Sequence, residues 1–143
     1  MKIDELSPDE ANDLLAQNDD VVYLDVRTER EFAQGHPTGA YNVPVVFMEP
    51  GAPAQPNAAF TETVARHFTT ERRLVVGCQS GMRSMKACEI LMANGYTGVV
   101  NVRGGFGGTR DRSGNVLVAG WRDSGLPVST TPEVGRSHDE LKG

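Results

Sequence analysis

Two cysteines among 143 residues are too few for a disulfide framework, so Cys78 and Cys88 are read as free thiols of a reducing compartment. No cysteine–histidine spacing of the zinc-binding kind occurs, and no metal is expected. No apolar run approaches the ~20 residues that a bilayer span requires. The charged start of the chain, up to Glu5, has no apolar signal core behind it. A cytoplasmic protein without a membrane segment is the expectation. Basic residues are scattered and the net charge is −5, which excludes the electrostatic footprint of a nucleic-acid or anionic-membrane binder. No internal repeat occurs.

What the chain does have is 38% hydrophobic residues over a length that supports one globular core. Val21-Val22-Tyr23-Leu24 and Leu74-Val75-Val76 are continuous β-rich apolar runs, the pattern of strands buried on both faces of a parallel sheet. Val99-Val100-Asn101-Val102 and the shorter Tyr41-Asn42-Val43-Pro44 read as further strands. Ser7-Pro8-Asp9-Glu10 and Thr28-Glu29-Arg30-Glu31 are capping-box patterns that open helices. Phe60, Val64 and Phe68 recur at four-residue spacing, and Met85, Cys88, Leu91 and Met92 form a second helical stripe. Alternating strands and helices predict a single α/β domain over residues 1–128 with a mostly parallel sheet. Gly105 to Val118 reads as a hairpin-like excursion. Residues 129–143 are polar and are expected to form a flexible, frayed tail.

The segment Val75-Val76-Gly77-Cys78-Gln79-Ser80-Gly81-Met82-Arg83-Ser84 concentrates the chemistry. It places Cys78 after a strand and just before a helix. Unpaired backbone N–H groups converge at such a helix start and favour negative charge. The thiolate is the nucleophilic form of cysteine, so Cys78 is the candidate for covalent catalysis. Asp25 also ends a strand, and ligand sites of parallel sheets gather at the carboxyl ends of strands.

Several segments together resemble one family. They are Asp25-Val26-Arg27, Glu31-Phe32, Gly35-His36, Gly39-Ala40, Asn42-Val43-Pro44, Cys78 through Ser84, Gly104-Gly105-Phe106 and Trp121 with Gly125-Leu126-Pro127. In order and spacing they resemble the single-domain rhodanese (thiosulfate sulfurtransferase) family, from about Asp4 to Val128. The resemblance implies a five-stranded, mostly parallel sheet flanked by helices on both faces. It implies a sulfane sulfur passed through a Cys78 persulfide, with no cofactor. The donor would be thiosulfate or a polysulfide, and the acceptor cyanide or a thiol. Gln79, Ser80, Gly81, Met82, Arg83 and Ser84 would form the substrate-binding loop. Two departures stand out: Pro37-Thr38 after Gly35-His36, and a longer stretch from Gly107 to Ala119.

Other roles are assigned by weighing plain explanations against chemical ones. Arg83 is read equally as an anion binder and as the partner of Glu31 or Asp25. Asp25, Arg27, Glu31 and His36 are expected to support the loop and neighbouring turns, His36 through a turn-stabilising hydrogen bond rather than acid–base work, and Ser84 to bond to the loop at the helix entry. Met82 is expected at the rim, and Cys88 in the core rather than as a resolving thiol. Phe47, Met48 and Phe106 are candidates for an apolar wall or ordinary core. Two other functions stay open. One is a module that delivers sulfur to a protein thiol or senses redox state, with the Gly107–Val118 excursion as its docking surface. The other is a phosphatase or arsenate reductase. Phosphatases related to this fold place five residues between cysteine and arginine; here four, Gln79 to Met82, separate Cys78 from Arg83.

Overall fold

The computed structural model describes residues 2–143; residue 1, counted in the expected domain, lies outside the described residues. In chain order the elements are β1 (Asp4–Leu6), α1 (Pro8–Gln17), β2 (Val21–Asp25), α2 (Glu29–Gln34), β3 (His36–Pro37), β4 (Tyr41–Asn42), β5 (Val46–Phe47), β6 (Gln55–Pro56), α3 (Phe60–His67), β7 (Arg73–Gly77), α4 (Met82–Ala93), β8 (Val99–Val102), β9 (Thr109–Arg110), β10 (Val116–Val118), β11 (Val128–Ser129) and α5 (His138–Lys142). Five strands form one sheet in the order β1-β8-β7-β2-β4, and every pairing in it is parallel. The remaining strands make three two-stranded ribbons, of which β9–β10 is the antiparallel hairpin of the excursion.

The two central strands explain the layering. Their side chains alternate between faces, and both faces are apolar. Val22, Leu24, Leu74 and Val76 pack with Phe60, Val64, Ala87, Cys88, Leu91 and Leu141, from the helices α3, α4 and α5. Val21, Tyr23, Val75 and Val102 pack on the other side with Ala11 of α1, Phe32 of α2, Phe106 and Trp121. Each large apolar side chain so buried contributes about 1.5–3 kcal/mol. Both capping boxes form: Ser7 with Glu10 at α1, and Thr28 with Glu31 at α2.

Two features depart from the sequence expectation. Strand β1 was not foreseen, because only Leu6 of its three residues has an apolar side chain and no alternation marks it. Residues 129–143 do not fray. Ser129 joins the β3–β11 ribbon, and Ser137 and Glu140 build a third capping box at α5. Leu141 is buried in the core. All three histidines of the chain meet this segment: His67 Nε2 contacts the Leu141 carbonyl at 2.8 Å, His138 Nδ1 pairs with Glu29, and His36 Nε2 faces the Glu133 carboxylate at 4.0 Å. Composition hid this, since the segment is fastened by polar contacts and one leucine.

Register aligns the strand ends that matter. Asp25 lies beside Gly77 in β7 and beside Asn42 in β4. The loops after β2 and β7 therefore leave the sheet side by side.

Candidate active site

Cys78 follows β7 directly and is buried. Gly77 has to be glycine because a Cβ there would fall 1.9 Å from the Tyr23 hydroxyl. Gly81 curls the loop back with φ +112°, a backbone that side chains other than glycine rarely adopt. That turn brings the Gly81 N–H to 3.1 Å from Cys78 Sγ, to which it donates. Ser84, fully buried in the first turn of α4, places its hydroxyl 3.3 Å from the same sulfur. Among the described residues no side chain caps α4, so its first N–H groups remain open to the loop.

The Ser84 hydroxyl has one proton and three neighbours: Cys78 Sγ, the Gly81 carbonyl at 3.2 Å and Asn101 Oδ1. Asn101, buried on β8, donates from Nδ2 to Glu5 Oε2 at 3.0 Å, which turns its Oδ1 toward Ser84. A line of polar groups thus runs from β1 to the thiol.

Two arginines brace the loop, and both are neutralised. Arg27 is buried and grips the Asp25 carboxylate through Nε and Nη2 at 2.8–3.2 Å. It also donates to the Gly35 carbonyl at 2.7 Å and to Gln79 Oε1 at 3.1 Å, and it lies over the Phe106 ring. Burial alone would lower its pKa, yet the Asp25 charge and hydrogen bonds raise it. Arg83 makes a two-pronged pair with Glu31 at 2.7 and 2.8 Å. Thr28, the cap of α2, donates its N–H and hydroxyl to Glu31 Oε1 and fixes the carboxylate. Burial works to raise the Glu31 pKa; the bonds from Arg83 and Thr28 outweigh it and hold the group at about 2. A helix cap therefore sets the position of a loop arginine.

Glycine contacts lock the other side. The Phe106 N–H donates to the Cys78 carbonyl at 2.8 Å, and the Gly107 N–H to the Gln79 carbonyl at 2.9 Å. A Cβ on Gly105 would stand 2.3 Å from that Cys78 carbonyl oxygen. Beside the loop opens a cleft of about 340 Å³ lined by Arg27, Glu31, Gln34, Gly35, Gln79, Phe106 and Arg122.

The structure brings the expected loop and the supports Asp25, Arg27 and Glu31 together. Met82 is exposed at the rim. His36 is buried beneath α2, stacked on Phe32 and bonded through Nδ1 to the Phe32 carbonyl at 2.7 Å, a contact that steadies a turn. Phe47 and Met48 line a separate hollow beside Thr28, Glu29 and Arg30, leaving Phe106 as the wall of the cleft. Cys88 is fully buried, and burial with the nearby Cys78 charge pushes its thiol up to about 12. Asn101, Glu5, Gln34 and Arg122 carry no local signature in the sequence.

Comparison with known proteins places the chain in a family. A family model described as Rhodanese-like domain matches residues 7–111. The chain is 43% identical to Thiosulfate sulfurtransferase 16, chloroplastic, of Arabidopsis thaliana, over 74% of this chain and 78% of that protein. It is 29% identical to a Sulfurtransferase of Allochromatium vinosum, over 88% of this chain and 94% of that protein. Among solved structures, the crystal structure of Rv0390 from M. tuberculosis superposes with a TM-score of 0.77 at 27% identity, over 92% of this chain and all of that one.

Proposed function

The chain belongs to the Rhodanese-like domain family, and from that premise we propose that it moves a sulfane sulfur from thiosulfate or a polysulfide to cyanide or a thiol through a persulfide on Cys78. Relatives named sulfurtransferases support sulfurtransferase activity. The observation that carries the finer reading is a single nucleophilic thiol at the start of an uncapped helix, with the Gly81 N–H 3.1 Å from its sulfur.

In the first half-reaction the Cys78 thiolate attacks the outer sulfur of thiosulfate. The new Cys78 S–S bond forms as the S–S bond of thiosulfate breaks, and sulfite leaves with that electron pair. The persulfide keeps one negative charge. The Gly81 N–H and the open N–H groups at the start of α4 stabilise it, and no redox equivalent is consumed. In the second half-reaction a thiolate or cyanide attacks the terminal sulfur. The bond to Cys78 breaks, the thiolate returns, and a new persulfide or thiocyanate departs. Arg27, through Asp25, Gly35 and Gln79, and Arg83, through Glu31, hold the loop in shape.

Mass spectrometry tests this. Thiosulfate should add ~32 Da at Cys78, the mass of the one sulfur held in the covalent intermediate. Cys78→Ser should abolish both the adduct and thiocyanate formation while the chain stays folded. No adduct with any sulfane donor, from protein whose Cys78 thiol is free, sinks the proposal.

A further inference from the structure

Attraction of an anionic substrate needs a cation that no carboxylate has already neutralised. Arg83, the one charge in the loop sequence, is paired with Glu31, and Arg27 is paired with Asp25. The second arginine that lines the cleft is different. Arg122 lines it, is exposed, and among the described residues its guanidinium makes no hydrogen bond or ion pair. It lies 5.5 Å from the centroid of the Phe106 ring.

Its position is fixed by the backbone. The Phe106 N–H donates to the Cys78 carbonyl, and the Arg122 N–H donates to the Phe106 carbonyl at 3.0 Å. Two consecutive hydrogen bonds thus tie Arg122 to the reactive residue. The adjacent Asp123 carboxylate feels the Arg122 charge, but both of its oxygens are bonded elsewhere. Arg110 of β9 donates to Asp123 Oδ1 at 2.6 Å, and the Gly120 N–H donates to Oδ2 at 2.9 Å. Arg110 belongs to the hairpin that lengthens this chain beyond the family pattern.

We propose that Arg122 selects sulfur compounds that carry a negative charge away from the reacting sulfur, and that Arg110 is a positioning residue that keeps Asp123 from cancelling that charge. This rests on the sulfur-transfer reading above. The shared chemistry is an anionic end, which either the donor (the sulfonate oxygens of thiosulfate) or the acceptor (a carboxylate on an organic thiol) supplies.

Steady-state kinetics separates the two sources, because in a double displacement kcat/KM for donor and acceptor are independent. The donor pair is thiosulfate against 2-hydroxyethyl persulfide, whose far end is neutral and from which Cys78 takes the outer sulfur as 2-mercaptoethanolate leaves; the acceptor pair is 3-mercaptopropionate against 2-mercaptoethanol. Arg122→Gln should lower the anionic-to-neutral ratio of kcat/KM by on the order of tenfold in at least one pair, the contribution of one charge-assisted hydrogen bond. The pair that responds names the source. Arg110→Gln should lower the same ratio by a smaller factor, and adding Asp123→Asn should restore it, which a merely structural role for Arg110 does not predict. Raising the salt from 0.05 to ~0.5 M should shrink the wild-type preference as screening increases. Unchanged ratios in both pairs, or equal losses for anionic and neutral partners, overturn the proposal. If wild-type protein forms the Cys78 adduct while Arg122→Gln keeps its ratios, only this inference fails; if no adduct forms at all, both fail.

Discussion

Replacing Glu31 by Gln tests how a helix cap and a loop are coupled. The substitution keeps the shape of the side chain and removes its charge. In the native protein Glu31 accepts two bonds from Arg83 and two from Thr28. Together these hold its carboxyl at about 2 instead of the ordinary 4.5. At ~1.4 kcal/mol per tenfold change in acidity, the ceiling is about 3.4 kcal/mol. The side chain is 24% exposed, so solvent screening reduces this to roughly 1–2 kcal/mol. The sign follows from the lowered pKa: the stabilisation is fully present above pH 4.5 and is lost as pH falls toward 2. Urea unfolding of wild type and Glu31→Gln should therefore differ by roughly 1–2 kcal/mol at pH 7. The two should converge as the pH approaches 2, where the native carboxyl is itself becoming neutral. Equal stability at pH 7, or a gap as wide at pH 2.5 as at pH 7, refutes the reasoning.

Three further substitutions probe other joints of the site. Gly105→Ala should destabilise the fold by roughly 3 kcal/mol, because its Cβ meets the Cys78 carbonyl and the backbone has φ +56°; a thermal midpoint within a degree of wild type contradicts this. Asn101→Ala removes one of the three partners of the buried Ser84 hydroxyl and the contact to the Glu5 carboxylate, and should cost about 1–3 kcal/mol in urea unfolding; an unchanged midpoint shows that the polar line does no structural work. Deleting residues 130–143 removes the burial of Leu141 and should lower stability by at least ~1.5 kcal/mol; a truncated chain with native stability means that the segment is not part of the folding unit.

Much of the molecule is legible because its signals are local. Valine-rich runs gave the central strands, and hydroxyl-to-glutamate spacing gave the starts of α1 and α2. The same spacing occurs at Ser137 and Glu140, yet polar composition concealed a helix there. The thiol loop was legible through glycine and helix-start chemistry. Long-range pairings were not: sequence alone leaves Arg83 with either Glu31 or Asp25, and only the placement of α2 decides for Glu31. Arg122 was illegible for the same reason. Its significance depends on which carboxylates other arginines have already taken, and that accounting exists only in three dimensions.

The docked C-terminal segment also guards the sheet. The order β1-β8-β7-β2-β4 leaves two edges, each a row of backbone groups able to recruit a strand from another molecule. At β4 the outward Asn42 N–H is satisfied by the Arg136 carbonyl at 2.9 Å, while the Arg136 side chain covers the Tyr41 ring and bonds to the Gly39 carbonyl. At β1 the exposed carboxylates of Asp4 and Glu5 repel an approaching copy of the same strand. One edge is plugged and the other is charged. Losing the segment would unplug β4, and a truncated chain would then announce its damage through strand-mediated aggregation before it showed any loss of sulfur chemistry.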